Sequence, residues 1–463
     1  MSSQKKINIL LIPIDNRPVC YDFAIAMCLI AGDINLFIPP REMMGSLTSY
    51  ADINSIFRWV KNLDVKIDYA ICCLDTIAYG GLIASRRVET SEEEILKHVD
   101  DFLSLLGEKC SKIYAFSSIM RISNNNINEE EKEYWNKYGK QIFDYSYNCH
   151  KNGTPPVHTI PGDILEDYLN TRKRNFSINK HYLSSGFDFL VFSRDDTSKY
   201  GLNVKEGEDL QRLINERQNA AMVLSGADEI WSGLIARAYS DFHQKRVSFN
   251  TVYNHPNAAS VVTRYDGVSI RETFCSYLNM TNSSESEDGD ISLVVNAPLK
   301  IQDDLALGIF EDENFSHIFN FDKSKNYAVA DVRYANGADD EFVSECIVDE
   351  PADIKHFFGY SGWNTTANAM GSLMSVAVIK FIAERKGYFD ENKFKELMFV
   401  RFIDDWAYQA NIRQMLRCGD KRSCSELFEP YIIKIAHFLG MREPDTAFYF
   451  PWNRTFEIGI VLK

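Results

Sequence analysis

The sequence predicts an α/β protein built from parallel β-sheets. Ten short runs rich in Ile, Val, Leu and Phe recur along the chain, and most are continuously apolar rather than alternating. Continuous apolar character is typical of strands buried on both faces, as in parallel sheets. Stretches that carry helix-start signals separate these runs. Repeated strand–helix alternation of this kind is typical of the α/β class.

The strands and helices can be assigned in chain order. A helix is predicted after Thr90 and Ser91, where three glutamates open a first helical turn. Another is predicted from Thr365 to Ala383, ending before Gly387. The ten predicted strands are Ile7–Ile12, Ile34–Ile38, Tyr69–Leu74, Ile113–Phe116, Phe187–Phe192, Ala221–Leu224, Val247–Tyr253, Ile291–Val295, Tyr327–Val332 and Phe357–Tyr360.

Two architectures accommodate these strands. The one we expect divides them five and five, as two doubly wound, Rossmann-like halves that meet around a cleft. It corresponds to an N-terminal α/β half at 1–204, a second α/β half at 205–390, and a C-terminal helical region with a final strand at 391–463. The alternative closes the first eight strands as a (β/α)8-like barrel, and the chain from Tyr327 onward becomes a C-terminal extension.

Composition and charge limit the classes of function. The chain has 463 residues, of which 45% are hydrophobic and 25% charged, as in ordinary globular proteins. Its formal net charge of −15 repels phosphate backbones and anionic lipids, so we expect neither a nucleic-acid nor a membrane partner. No stretch approaches the roughly 18–20 uninterrupted apolar residues that a spanning helix needs. The oligomeric state stays open.

Cysteine usage and the N-terminal segment predict a cytoplasmic protein. The ten cysteines lie inside apolar runs and no Cys-x-x-Cys occurs, so we expect buried core thiols rather than disulfides or metal ligands. The apolar run Ile7–Ile12 is too short for a secretory leader and is followed by Pro13 and Asp15. A first strand is the better interpretation of this run.

Polar side chains collect directly after the predicted strands. The carboxyl ends of parallel strands lie at one edge of a sheet, where the loops form the ligand crevice. We therefore expect one small-molecule site lined by carboxylate, amide and guanidinium groups. The candidate catalytic residues are two adjacent carboxylate pairs, Asp195 with Asp196 and Asp228 with Glu229. The candidate substrate-binding residues are Asp15, Asn16, Arg17, Asp75, Tyr79, Arg121, Asn296, Trp363 and Asn364.

The motifs of several enzyme classes are missing from the sequence. It has no P-loop, no dinucleotide-binding Gly-x-Gly-x-x-Gly after the first strand, no Gly-x-Ser-x-Gly elbow and no His-Glu-x-x-His. Carboxylates remain abundant, and two carboxyls whose pKa values differ can act as general acid and as nucleophile or base, as in glycosidases. The sequence therefore favours a hydrolase that acts on a glycoside or related sugar derivative and needs no cofactor.

Two other functions stay open. Carboxylate oxygens also suit divalent metals such as Mg²⁺ or Ca²⁺. A divalent-metal-dependent hydrolase or isomerase of a small polar substrate would use Asp75, Asp228 and Glu229 as ligands, with His255 as a further candidate ligand. A non-catalytic sugar-binding protein would use the same aromatic, amide and carboxylate groups without forming a product.

Seven motifs occur in a fixed order along the chain. They are Pro13-Ile-Asp-Asn-Arg-Pro18, Pro39-Pro-Arg-Glu42, Leu74-Asp-x-x-Ala-Tyr-Gly-Gly-Leu-Ile-Ala-Ser-Arg86, Arg194-Asp-Asp196, Gly226-Ala-Asp-Glu229, Asn336-Gly-Ala-Asp339 and Gly362-Trp-Asn-Thr365. Together they resemble a bacterial family catalogued as domain of unknown function 4127, over nearly the whole chain. The resemblance implies a link with sugar metabolism, and it assigns no activity and no catalytic residue. It does imply that the strand-end motifs belong to one site.

Overall fold

A computed structural model describes residues 6–312 and 319–463, and its first half is a six-stranded parallel sheet. The strand order is β2-β1-β3-β4-β5-β6, so the chain reverses its direction of growth between β1 and β3. Loops diverge at such a switch point, which leaves a crevice at the carboxyl edge of the sheet. The strands are β1 (Ile7–Ile12), β2 (Ile34–Phe37), β3 (Ile67–Cys73), β4 (Cys110–Ile119), β5 (Phe189–Arg194) and β6 (Ala221–Ser225).

A second parallel sheet follows, in the order β13-β11-β9-β7-β8. Two small pairs complete the strands, β10 with β12 and, in antiparallel fashion, β14 with β15. The strands are β7 (Ser248–Tyr253), β8 (Ser284–Glu285), β9 (Ile291–Asn296), β10 (Asp303–Asp304), β11 (Tyr327–Asp331), β12 (Tyr334–Ala335), β13 (Phe357–Ser361), β14 (Thr446–Tyr449) and β15 (Gly459–Leu462).

The α/β class and the ten predicted strands are confirmed, while the barrel alternative is wrong because both sheets are open over the described residues. The division of the strands also differs from five and five. Strand β6 pairs with β5, with Ala221 opposite Leu190, so the first sheet continues beyond the predicted boundary at 204/205. The physical reason is that helix α8 (Leu202–Arg217) is the crossover between these two parallel strands, so a cut at 204/205 falls inside one structural unit.

Helices connect the strands and cover the sheets. Both predicted helix starts are confirmed, because Ser91 caps α5 and Thr365 caps α12, and Gly387 in left-handed conformation ends α12. Short 3₁₀ segments occur at Arg41–Met43, Ala258–Ser260 and Pro451–Asn453, and π-helical segments at Val343–Ile347 and Ile403–Ile412. The remaining helices are α1 (Asp22–Leu29), α2 (Ile53–Lys61), α3 (Leu74–Tyr79), α4 (Ala84–Arg87), α5 (Glu92–Lys109), α6 (Trp135–Asn152), α7 (Gly162–Tyr182), α9 (Ile230–His243), α10 (Ile270–Met280), α11 (Asp340–Phe342), α12 (Thr366–Lys386), α13 (Glu391–Phe402), α14 (Arg413–Arg417) and α15 (Cys424–Phe438).

The two sheets share one apolar core. Helix α12 packs against α9, and a single cluster of buried side chains includes Ile9 of β1 and Val329 of β11. Among the described residues, α12 is the one helix long and apolar enough to cross a membrane, but its apolar window lies wholly inside the protein. Its composition therefore fits a core helix.

Candidate functional site

A polar cavity of about 260 Å³ lies at the carboxyl edge of the first sheet. Loops that follow β1, β4, β5 and β6 form one wall, loops that follow β12 and β13 form another, and the C-terminal segment 452–456 contributes a third. Its lining contains six carboxylates and three guanidinium groups. The lining residues are Asp15, Arg17, Leu82, Ile83, Arg121, Asn125, Ile127, Glu129, Glu130, Asp195, Asp196, Asp228, Tyr265, Asn336, Asn364, Trp452, Arg454 and Phe456.

Arg17 clamps two carboxylates in the wall of the cavity. Its Nε donates to Asp15 Oδ2 at 2.9 Å, and its two terminal nitrogens donate to both oxygens of Asp228 at 3.1 and 2.5 Å. All three side chains are more than nine-tenths buried. Bidentate guanidinium–carboxylate pairs of this kind fix geometry strongly. The loops after β1 and β6, more than 200 positions apart, are therefore held in a defined relation.

Arg121 holds a second group of carboxylates. Its Nη1 lies 3.0 Å from Asp196 Oδ2 and 3.4 Å from Asp195 Oδ2, while its Nη2 lies 2.8 Å from Glu130 Oε2. Its Nε lies 3.1 Å from Glu131 Oε1. One guanidinium thus contacts four carboxylates, and Arg86 and Arg454 contact three of the same four.

Two of the lining carboxyls hold their protons unusually well. Burial and the neighbouring Asp195 raise the pKa of Asp196 to about 7, although Arg121 opposes the shift. Burial also raises the pKa of Asp228, and here the guanidinium of Arg17 opposes it. Carboxyls with pKa values shifted towards neutrality are candidates for general acid–base work.

The backbone around the cavity is strained. Nine described non-glycine residues have φ in the left-handed region, and five of them line this cavity. Such conformations cost of order 1 kcal/mol or more in most residues, less in Asn and Asp, and they cluster at functional sites. The five are Asp196 (φ 44°), Tyr265 (66°), Asn336 (62°), Asn364 (59°) and Trp452 (55°). The strain is therefore concentrated where loops from both sheets meet.

The C-terminal segment completes the cavity. The indole Nε1 of Trp452 donates to Asn16 Oδ1 at 2.8 Å, and Arg454 Nη1 lies 2.6 Å from Glu130 Oε1. The guanidinium groups of Arg17 and Arg454 both lie against the Trp452 ring, at 5.1 and 4.7 Å from its centroid. Burial would raise the pKa of Glu130, but its surrounding arginines outweigh burial and hold it well below the usual value.

The structure brings together seven of the residues that the sequence singled out. Asn16 lies just behind them, since it accepts the Trp452 hydrogen bond without lining the cavity. The seven are Asp15, Arg17, Arg121, Asp195, Asp196, Asp228 and Asn364.

Two predicted carboxylates lie behind the site instead of in it. Glu229 is buried against the hydroxyl of Tyr277 and the backbone N–H of Ala227, and burial raises its pKa to about 8. Asp75 is buried beneath the β4 loop, where its carboxylate accepts the backbone N–H of Ser118 at 2.7 Å, and burial raises its pKa to about 7. The expectation that both converge on one pocket with the other acids is wrong, because each turns into the core to bind local partners.

Three further predicted binding residues also lie outside the lining. Tyr79 is buried with the guanidinium of Arg174 near its ring. Asn296 is buried and donates to Asp331 at 3.0 Å within the edge of the second sheet. Trp363 is buried edge-on behind Phe456. None of the three lines the cavity, since each fills space behind the loops.

The predicted metal ligands do not gather. His255 contacts the carbonyl of Pro298, Glu229 contacts Tyr277, and Asp228 is held by Arg17. Over residues 6–312 and 319–463, no three His, Cys, Asp or Glu side chains are grouped so as to hold a metal ion.

Sequence reasoning missed much of the lining. Asn125, Glu129 and Glu130 belong to the polar stretch after Arg121, and their position after β4 was the signal that could have found them. Trp452 and Arg454 carry no comparable signal. They follow a short antiparallel strand in the C-terminal region, far from any carboxyl end of the two main sheets.

Comparison with known proteins adds one finding. Residues 9–461 match the model of a family described as "Protein of unknown function (DUF4127)". No curated protein matches the chain. The family model spans both sheets and the C-terminal segment, so all three walls of the cavity lie within the matched region.

Proposed function

The chain belongs to the DUF4127 family, and we propose that it is a hydrolase acting on a glycoside or a related sugar derivative. The observation that carries the proposal is the cavity itself, which is lined by two groups of carboxylates that are held by different arginines. Asp195 and Asp196 follow β5, whereas Asp15 and Asp228 are gathered around Arg17. Glycoside hydrolysis needs two carboxyl groups that flank the scissile bond.

Asp196 is suited to the role of general acid. A carboxyl with a pKa of about 7 is about half protonated at pH 7 and can give its proton to the leaving oxygen. Its side chain is about 31% exposed, so it is open to the cavity. The loss of a positioned proton donor typically slows such a reaction by about 10²–10⁴-fold.

The carboxylates at Arg17 supply the second role. Asp228 and Asp15 are ion-paired through Arg17, which orients them and stabilises negative charge. One of them would attack the anomeric carbon or activate a water molecule, while Asp196 protonates the leaving group. Arg17 opposes the burial that raises the pKa of Asp228, and so favours the anion that this role needs.

The rest of the lining suits a neutral, hydroxyl-rich substrate. Asn125, Asn336 and Asn364 supply amide groups, and Phe456 and Leu82 supply apolar surface. All three arginines already contact carboxylates, so a phosphorylated substrate would find no unpaired cation in the lining. We also propose a cytoplasmic location, which the free state of all ten cysteines supports.

Aryl glycosides with leaving groups of different acidity test the proposal. The wild-type protein and the Asp196→Asn and Asp228→Asn variants are assayed against a panel of 4-nitrophenyl and 2,4-dinitrophenyl glycosides. We expect Asp196→Asn to lose about 10²–10⁴-fold in kcat with the poorer leaving group and much less with the better one, which needs little protonation. Asp228→Asn should lose activity with both.

Asp188→Asn is the matched control. Asp188 precedes the same strand β5 at its amino end, is exposed, and accepts the backbone N–H of Ile113. This variant should keep wild-type kinetics. Unchanged turnover in both cavity variants would end the hydrolase proposal. Ligand-induced thermal stabilisation with no product points instead to the sugar-binding alternative, and activity lost to a chelator points to a metal-dependent enzyme.

A further inference from the structure

Arg86 is a fully buried cation directly behind the cavity. It lies in the short helix α4 and is only 1% exposed, so it does not line the cavity itself. Its Nη1 lies 3.0 Å from Glu131 Oε1 and 3.7 Å from Glu130 Oε2. Its Nη2 lies 3.6 Å from Asp195 Oδ2. The Arg86 charge is thus shared among three carboxylates, two of which, Glu130 and Asp195, line the cavity.

The hydrogen-bonding capacity of Arg86 is not used up. Its Nε and Nη2 are buried and have no hydrogen-bond partner. Buried guanidinium nitrogens are costly to leave unpaired, so their presence here needs an explanation. The nearest carboxylate on the Nη2 side is Asp195, slightly beyond hydrogen-bond distance. A small movement of either side chain would complete that bond.

The two arginines around the β5 carboxylates act in opposite senses. Arg121 lies closer to Asp196, at 3.0 Å, than to Asp195, at 3.4 Å. Taken alone, Arg121 would favour the anion at Asp196. Arg86 contacts Asp195 and makes no direct ion pair with Asp196. The choice between the two carboxyls therefore depends on the second, buried arginine.

We propose that Arg86 is a positioning residue that keeps the negative charge of the β5 pair on Asp195 and leaves the proton on Asp196. This inference rests on the proposed function, because it assigns which of the two acids is the proton donor. Two adjacent carboxyls share their protons as a pair, and a nearby cation decides where the charge resides. Arg86 is the last residue of the motif Leu74–Arg86, and the sequence alone gave Arg86 no role.

The other charged groups around Arg86 do not reverse this preference. Glu130 and Glu131 contact both Arg86 and Arg121, so they reduce the field of both arginines together. Asp75 also interacts electrostatically with Arg86, from the buried side. Arg86 also favours the anion at Asp196, from a longer distance, but its ion pair within the β5 carboxylates is with Asp195, through Nη2.

Carbodiimide labelling measures this difference without any substrate. A carbodiimide with glycine ethyl ester modifies protonated carboxyls, and fragmentation mass spectrometry separates Asp195 from Asp196. In wild-type protein we expect Asp196 to be the labelled member at pH 6. In Arg86→Met, labelling should shift towards Asp195 by about tenfold or more, since a nearby charge typically changes a carboxyl pKa by about 1–3 units. Arg86→Lys keeps the charge and should keep the wild-type pattern.

Arg237→Met is the matched control. Arg237 also has a buried Nε without a partner, but it packs on Phe189 and contacts the carbonyl of Asn279 rather than the cavity acids. It should leave the labelling ratio unchanged. The proposal is overturned if wild-type protein is labelled mainly at Asp195, a result that needs no folded variant. It is also overturned if folded Arg86→Met labels as wild type does. Neither outcome depends on whether a glycoside is hydrolysed.

Discussion

Replacing Glu229 with glutamine tests whether this residue is a buried core acid. The sequence placed Glu229 among the catalytic carboxylates, whereas the structure places it against Tyr277 and Ala227, outside the cavity. Glutamine has nearly the same shape. Its carbonyl can accept the Ala227 N–H, and the Tyr277 hydroxyl can then donate towards the carbonyl of Ser225, 3.4 Å away. The substitution therefore removes the titrating carboxyl of Glu229 but keeps the packing around it nearly unchanged.

The magnitude follows from the raised pKa of Glu229. Burial moves it from 4.5 to about 8, so the folded protein keeps a proton that the unfolded chain releases above its ordinary pKa. The free energy of unfolding of the wild-type protein therefore falls as the pH rises from about 4.5 to about 8, because of Glu229. Above about pH 8 this loss levels off. From pH 5 to pH 7 the loss is about 2.5 kcal/mol, at about 1.4 kcal/mol for each full pH unit.

Urea denaturation of wild type and Glu229→Gln at pH 5, 6 and 7 measures this effect. The difference in free energy of unfolding between the two proteins should move in favour of the variant by about 2.5 kcal/mol across the series. Comparing the two proteins at each pH cancels the other titrating groups. Glu443→Gln, at an exposed position, should show no such trend. A difference that stays constant with pH would refute the argument.

Three further predictions concern the site and the core. Arg17→Met leaves two buried carboxylates without their cation, so it should lower the free energy of unfolding by about 3–5 kcal/mol, measured by urea denaturation at neutral pH. If Asp196 is the proton donor, kcat/KM should fall about tenfold between pH 6 and pH 8, because its pKa is about 7; a flat profile would contradict this role. Gly371→Ala would place a methyl group against the ring of Tyr277 and should lower the free energy of unfolding by about 1–3 kcal/mol. Gly107→Ala, which has open space around it, should instead stabilise its helix by about 0.5–1 kcal/mol. Thermal melts of the two variants and the wild type measure both effects.

The fold could be predicted to the level of its strands. Continuous apolar runs such as Ile7–Ile12 and Phe357–Tyr360 are long enough and uniform enough to specify buried parallel strands. Helix N-caps such as Thr365 could be predicted equally well from the sequence. The sheet to which a strand belongs was harder. Strand β6 carries the same apolar signal in either sheet, and only its pairing with β5 decides the matter.

The site could be predicted only in part, for a related reason. A carboxylate after a strand can turn towards the crevice or back into the core, and the sequence pattern is the same for both. Asp196 turns outward, in a left-handed backbone conformation, whereas Glu229 turns inward to Tyr277. That choice depends on partners contributed by other loops. Trp452 is a residue that lines the site although no pattern predicted it, because it comes from a segment that does not follow a strand of either main sheet.

The sequence by itself determined the α/β class, the succession of the strands along the chain and the edge of the sheet at which polar groups collect. These follow from local hydrophobicity and from the geometry of parallel strands. Only the tertiary structure decided which acids share a cavity and which arginines face them. Ion pairs such as Arg17 with Asp228 join residues more than 200 positions apart. Their energies depend on distance and burial, which no local pattern records.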